Sequence, residues 1–155
     1  MSKSLTRLSK ALIAAGIDSP PMDLPADART AEQAAQALGC ALDQIVKSIL
    51  FQGESGRLFL FLTAGGQQVA VPRAEILAGE ALSRADATLI RAVTGFAIGG
   101  VAPLGHLTAS PTWMDQRLMA FDTVWAAAGT PRHLFRTAPA KLLQATKATL
   151  SDFTT

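Results

Sequence analysis

Two apolar runs, "VKSILF" (Val46 to Phe51) and "LFLFLT" (Leu58 to Thr63), flank the turn-rich segment "QGESGR". Runs of this length and composition, separated by glycine and serine, predict a β-hairpin. A chain that contains this pair needs a sheet, and it places a lysine inside the first apolar run. Side chains alternate along a strand, so Lys47 shares a face with Ile45, Ile49 and Phe51 while Ser48 lies on the other. An ammonium among apolar neighbours is costly unless something pairs with it. Its stem can snorkel to water at a strand end, the ordinary explanation. The alternative is a functional lysine, because ionisable groups pressed into apolar clefts are enriched at sites.

Helical periodicity surrounds the hairpin. Leu5, Leu8, Leu12 and Ala15 predict an amphipathic first helix stopped by Gly16, and the prolines of "IDSPPMDLP" predict an extended connection. Thr30 with Gln33 forms a capping box for a second helix that ends at Gly39. After the hairpin, "QQVAV" reads as a third strand, Pro72 suits the first turn of a short helix ending at Gly79, and Asp86 caps another that Gly95 terminates. Further strands are expected near Thr123 to Ala126 and His133 to Arg136, with a last helix after Pro139. Strands and helices alternate irregularly, which predicts an α/β domain with a mixed sheet and flanking helices. A chain of 155 residues with 49% hydrophobic content suits one core, so residues 1–155 are expected to form a single domain.

The basic residues of "MSKSLTRLSKALIAAG" interrupt its apolar ones, unlike a signal peptide or a membrane span. Cys40 is the single cysteine, and with only His106 and His133 as histidines no cluster has metal-ligand spacing. No metal or cofactor is expected, and the setting expected is cytoplasmic. The net charge is +2, but two stretches are basic without an acid: Lys3, Arg7 and Lys10 at helical spacing, and Arg132, Arg136, Lys141 and Lys147. Such stretches are either solvated faces or patches that meet a polyanion.

The most distinctive stretch is "TGFAIGGVAPLGH", Thr94 to His106. Gly99 and Gly100 allow close backbone approach, Pro103 stiffens the loop, and bare N–H groups there could face an anion or a developing oxyanion. It matches neither nucleotide-binding glycine fingerprint, and a tight structural turn is the alternative. No serine or cysteine motif accompanies the histidines to suggest a nucleophile and base. Trp113, Trp125, Phe121 and Phe135 read as core rather than as stacking platforms. Positioning and electrostatics remain as the chemistry open to an enzyme of this composition.

Taken in order, "IVKSILF", "TGFAIGGVAPLGH" and "VWAAAGTPRHLF" resemble the YbaK-like aminoacyl-tRNA deacylases, the family that also supplies the editing domain of bacterial prolyl-tRNA synthetases. The resemblance runs from about Gly16 to Leu150. It implies a mixed, partly barrel-like sheet with flanking helices, and hydrolysis of the ester that joins a wrong amino acid to the tRNA 3′ end. Lys47 matches the family's essential lysine, which helps hold the terminal nucleotide. Gly99 and Pro103 match the ends of its glycine-to-proline loop, where the backbone of the Gly99 region would meet the scissile carbonyl, so that Gly99, Gly100 and Pro103 join Lys47 as catalytic residues. The resemblance further implies Thr94, Val101, His106, Gly129 and His133 around the substrate, and no metal, cofactor or covalent intermediate. Water attacks with help from the substrate's own ribose hydroxyl. Either Lys3, Arg7 and Lys10 or Arg132 and Arg136 would contact acceptor-stem phosphates. At "AAGTPRHLF" the chain departs from subfamilies with acidic or asparagine side chains, and it looks closest to branches that clear small aliphatic amino acids from tRNA(Pro). Expected partners are aminoacyl-tRNA and, transiently, prolyl-tRNA synthetase. The same fold could serve as a tRNA-end or synthetase-binding module without hydrolysis, or the glycine loop could bind a nucleotide.

Overall fold

The computed structural model describes residues 2–155. Helix α1 spans Lys3–Ala14; the Ser2 side chain accepts from the Leu5 N–H at its start, and Leu8 and Leu12 are buried beneath it. After the two-residue strand β1 (Met22–Asp23), α2 (Ala31–Leu38) opens on the reciprocal Thr30–Gln33 capping box and ends on left-handed Gly39. The hairpin follows as β2 (Ile45–Gly53) and β3 (Leu58–Ala64). Next come α3 (Val71–Ala78), β4 (Leu82–Arg84) and α4 (Ala87–Thr94), with Asp86 accepting from the Leu89 N–H. The chain finishes with β5 (Thr112–Asp115), β6 (Val124–Ala127), β7 (His133–Thr137), α5 (Pro139–Thr146) and β8 (Thr149–Ser151).

Eight strands form one mixed sheet in the order β1-β7-β6-β2-β3-β5-β8, with β4 branching from β2. The hairpin is antiparallel from Val46↔Ala64 to Gln52↔Leu58, and parallel neighbours extend it on both sides, β6 beside β2 and β5 beside β3. All of β3 is buried, so the "LFLFLT" run is the centre of the domain. On one face Leu60, Leu62, Phe96, Met114 and Phe135 pack with Leu8 and Leu12 of α1 and Leu142 of α5. On the other, Phe59 and Phe61 meet Ala74 and Phe153, with Trp113 stacked on Phe61 at 5.1 Å. Phe135 is therefore a core residue and Trp113 packs half-buried against the core, in line with their apolar surroundings.

The expected strand at "QQVAV" does not form. Val71 already opens α3, with Pro72 in its first turn, and the remainder makes only the isolated bridge Val69↔Thr154. Strands β4, β5 and β8 escape a reading by alternation because each has only three or four residues.

Candidate active site

Strand β2 has β3 along one edge, but its other edge is shared. There β6 takes Ile45 and Val46, and β4 takes Phe51 to Gly53. Residues 47–50 lie between them without a strand neighbour on that side. In an antiparallel ladder alternate residues turn their backbone groups to opposite edges. The Gly53 N–H bonds to Arg57 O at 2.9 Å, so odd-numbered residues of β2 face β3, and Ser48 and Leu50 present their backbone to the gap. A cavity of about 450 Å³ occupies it, walled by α2, the Ile98–Gly99–Val101 segment and the Thr130–Pro131 turn.

Lys47 is half-buried and lines this cavity, and its Nζ donates to Gln67 O at 2.6 Å. The turn that carries this carbonyl is tied down by Asp43, whose carboxylate accepts from the Gly66 N–H (2.7 Å) and Gln67 Nε2 (3.2 Å). A backbone carbonyl thus solvates the ammonium, and no carboxylate forms an ion pair with it among the described residues. On the opposite strand face the buried Ser48 Oγ has no hydrogen-bond partner among the described residues, an exception that calls for an explanation.

The glycine loop runs between two left-handed residues, Gly95 and Gly105. Within it the Gly100 N–H turns inward to Ala97 O (3.0 Å), whereas those of Gly99 and Val101 have no protein partner among the described residues. Val101 is only 7% exposed as a residue. Gly99 has φ +91°, and a Cβ on Gly100 would strike the backbone of Thr130 and Pro131. The loop and the "GTPRH" turn are therefore in contact at Gly100.

Of the residues singled out from the sequence, Lys47, Gly99 and Val101 line the cavity, and Gly100 stands behind it. The others lie outside its lining. The Thr94 hydroxyl is wholly buried and serves its own helix end, donating to Ile90 O (2.7 Å) and accepting from the Phe96 N–H (3.0 Å). Pro103 is buried in the loop. His106 Nε2 lies 2.6 Å from Ala102 O, which can only accept, so that nitrogen carries the proton. Burial holds His106 below the ordinary histidine pKa; the Ala102 bond opposes this and the nearby Arg7 charge adds to it. Gly129 is needed for space, because a Cβ would lie 3.0 Å from both the Phe96 ring and Ser4 O. His133 Nδ1 meets the Thr130 hydroxyl at 2.6 Å, and Thr130 also accepts from the Arg132 N–H.

The basic residues divide as well. Lys3, Lys10 and Arg136 are exposed, and Arg132 pairs with Asp23 at 3.3 Å. Arg7 is half-buried and bonded to main-chain carbonyls. Two arginines that the sequence reading missed, Arg29 and Arg84, line the cavity and are exposed. Arg29 precedes the capping box and Arg84 sits in a three-residue strand, so no local signal marked either.

A mixed sheet interrupted beside a lysine-bearing strand and faced by a glycine loop is thus the frame of the site. The sequence profile of the aminoacyl-tRNA editing domain matches residues 25–145, and the chain belongs to that family. It is 30% identical over 113 residues to the uncharacterized protein YwhH of Bacillus subtilis (strain 168), covering 73% of this chain and 72% of that one. Among solved structures it is similar to a protein proposed as a trans-editing enzyme for prolyl-tRNA synthetase, with 44% identity, a TM-score of 0.94, and coverage of 100% of this chain and 99% of that one. The hypothetical protein APE2540, at 23% identity and a TM-score of 0.87 over 96% of this chain and 99% of its own, shares the fold. No helix among the described residues is long and apolar enough to cross a membrane.

Proposed function

We propose that this chain is a trans-editing deacylase that hydrolyses the ester of tRNA(Pro) carrying a small noncognate amino acid. The observation that carries the reading is the charge of the cavity: its lining includes Arg29, Lys47 and Arg84 and no carboxylate. Such a cleft favours an anionic, phosphate-bearing ligand. The 3′ end of tRNA brings phosphates and the ester together. Lys47 would hold the terminal nucleotide, with Arg29 and Arg84 at the phosphates that follow. The unpaired N–H groups of Gly99 and Val101 are suited to the oxyanion that forms when water attacks the carbonyl. Exposed Lys3, Lys10, Arg132 and Arg136 would meet the acceptor stem, and a contact with prolyl-tRNA synthetase would deliver the substrate. Water activation falls to the substrate's ribose hydroxyl. No group of three or more His, Cys, Asp and Glu among the described residues could hold a metal, which supports a metal-independent reaction.

The test is a panel of tRNA(Pro) charged with alanine, cysteine, serine, 2-aminobutyrate or proline. Small aliphatic noncognate esters should be cleaved and prolyl-tRNA spared; equal hydrolysis of all would remove the editing reading. Lys47→Ala should stay folded and lose roughly ten- to a hundredfold in activity, the worth of one charge-assisted contact. Binding of tRNA without turnover by the wild-type protein would favour the binding-module alternative.

A further inference from the structure

The guanidinium of Arg7 occupies the base of the glycine loop. Its Nε donates to Gly105 O at 3.0 Å, and Nη2 donates to Gly95 O at 2.7 Å and, at 3.5 Å, to Thr94 O. Gly95 and Gly105 are the two left-handed residues between which the loop departs and returns. One planar fork therefore bridges both ends of the segment that carries Gly99 and Val101. Arginine suits this task because its donors are fixed in one plane, which a lysine cannot reproduce. The guanidinium carbon also stacks 4.5 Å over the ring of Phe96, the loop's fully buried first side chain. Space is reserved for it, since a Cβ on Gly95 would lie 2.4 Å from Nη2. Ser4, one turn earlier on α1, reaches Gly95 O at 3.5 Å.

We propose that Arg7 is a positioning residue of the editing site: α1 staples the two ends of the glycine loop and so sets where the Gly99 and Val101 N–H groups stand. This rests on the functional reading above and extends the site to a helix outside the matched family span, which begins at residue 25. It also separates Arg7 from Lys3 and Lys10, which share its side of α1 but are exposed. An arginine with three carbonyl bonds and a stacked ring is held by the loop rather than offered to phosphate.

The variants are Arg7→Met, which keeps a stem over Phe96, and Arg7→Lys, which keeps the charge without the fork. Amide hydrogen exchange and steady-state deacylation are measured on both. In each variant, the bonded amides of Phe96, Gly100 and Leu107 should exchange faster while the β2–β3 hairpin keeps its protection. The kcat should fall roughly ten- to a hundredfold, as for loss of a charge-assisted bond or misplacement of a catalytic group. KM and its salt dependence should stay near wild type. A raised KM with a flattened salt slope and unchanged kcat would make Arg7 a phosphate contact and overturn the proposal. So would unchanged loop exchange, full activity in Arg7→Lys, or loss of protection throughout the hairpin, which would reduce Arg7 to general stability. If wild-type protein hydrolyses no ester, the functional reading fails, and the exchange arm still decides whether Arg7 staples the loop.

Discussion

Gly100→Ala tests the contact between the two cavity walls. The added Cβ would lie 2.7 Å from Thr130 C, 2.8 Å from Thr130 Cα and 3.0 Å from Pro131 N. All three are backbone atoms, so no rotamer change can make room. Ordinary contact begins near 3.4 Å against the 2.7 Å found, so the walls must part by about 0.7 Å. Overpacking of this kind costs about 1–3 kcal/mol of stability. A catalytic group misplaced by ~1 Å costs on the order of a hundredfold in rate, so a smaller displacement should cost roughly ten- to a hundredfold. Single-turnover deacylation would show the rate loss and a urea midpoint the stability loss. Gly99→Ala is the comparison: its Cβ meets nothing nearer than Pro131 Cγ at 4.0 Å, but φ +91° places a side chain in strained backbone. That variant should lose about 1–2 kcal/mol from conformation alone. Wild-type rate and stability in Gly100→Ala would refute the contact.

Other outcomes follow from the same geometry. The folded-state pKa of His106 is depressed, so between that value and the unfolded value near 6.5 the unfolded chain binds more protons, and stability should fall as pH drops below about 6.5; urea midpoints across pH 5–8 should show this, and His106→Gln should weaken the dependence. Ser48→Ala removes a buried hydroxyl that has no partner among the described residues, so stability should hold or rise by up to about 1 kcal/mol. If that hydroxyl serves the substrate, hydrolysis should fall at the same time, and an unchanged rate would return Ser48 to packing. Deacylation should survive EDTA; loss on chelation and recovery with a divalent ion would refute the metal-independent scheme.

The hairpin, the helix caps and the aromatic core were legible because each is a local rule. Thr30 and Gln33 cap α2 whatever lies beyond it, and a run such as "LFLFLT" buries itself in any α/β domain. The cavity was less legible, since it exists only because β6 and β4 reach β2 at different heights and both are short. Arg29 and Arg84 acquire meaning from that arrival, not from their neighbours in sequence. Arg7 shows the converse. Lys3, Arg7 and Lys10 have the same spacing and charge pattern whether they face water or not. Only the positions of Gly95 and Gly105, some ninety residues away, distinguish a staple from a solvated surface.

Lys47 and Ser48 belong to opposite faces of β2, yet both line one cavity. Alternation alone would assign them to different environments, and it would do so correctly for a strand paired on both edges. The interruption at residues 47–50 removes that separation, because a ligand at the open edge meets both faces and the backbone between them. Open edges are ordinarily a hazard, since they present a template for another strand. Here the opening is only four residues long and is walled by α2 and the glycine loop, which favours a small polar ligand over an added strand. The lysine in the apolar run is then accounted for twice. Its charge is solvated by the Gln67 carbonyl, and the break beside it leaves room for the anion that would complete its environment.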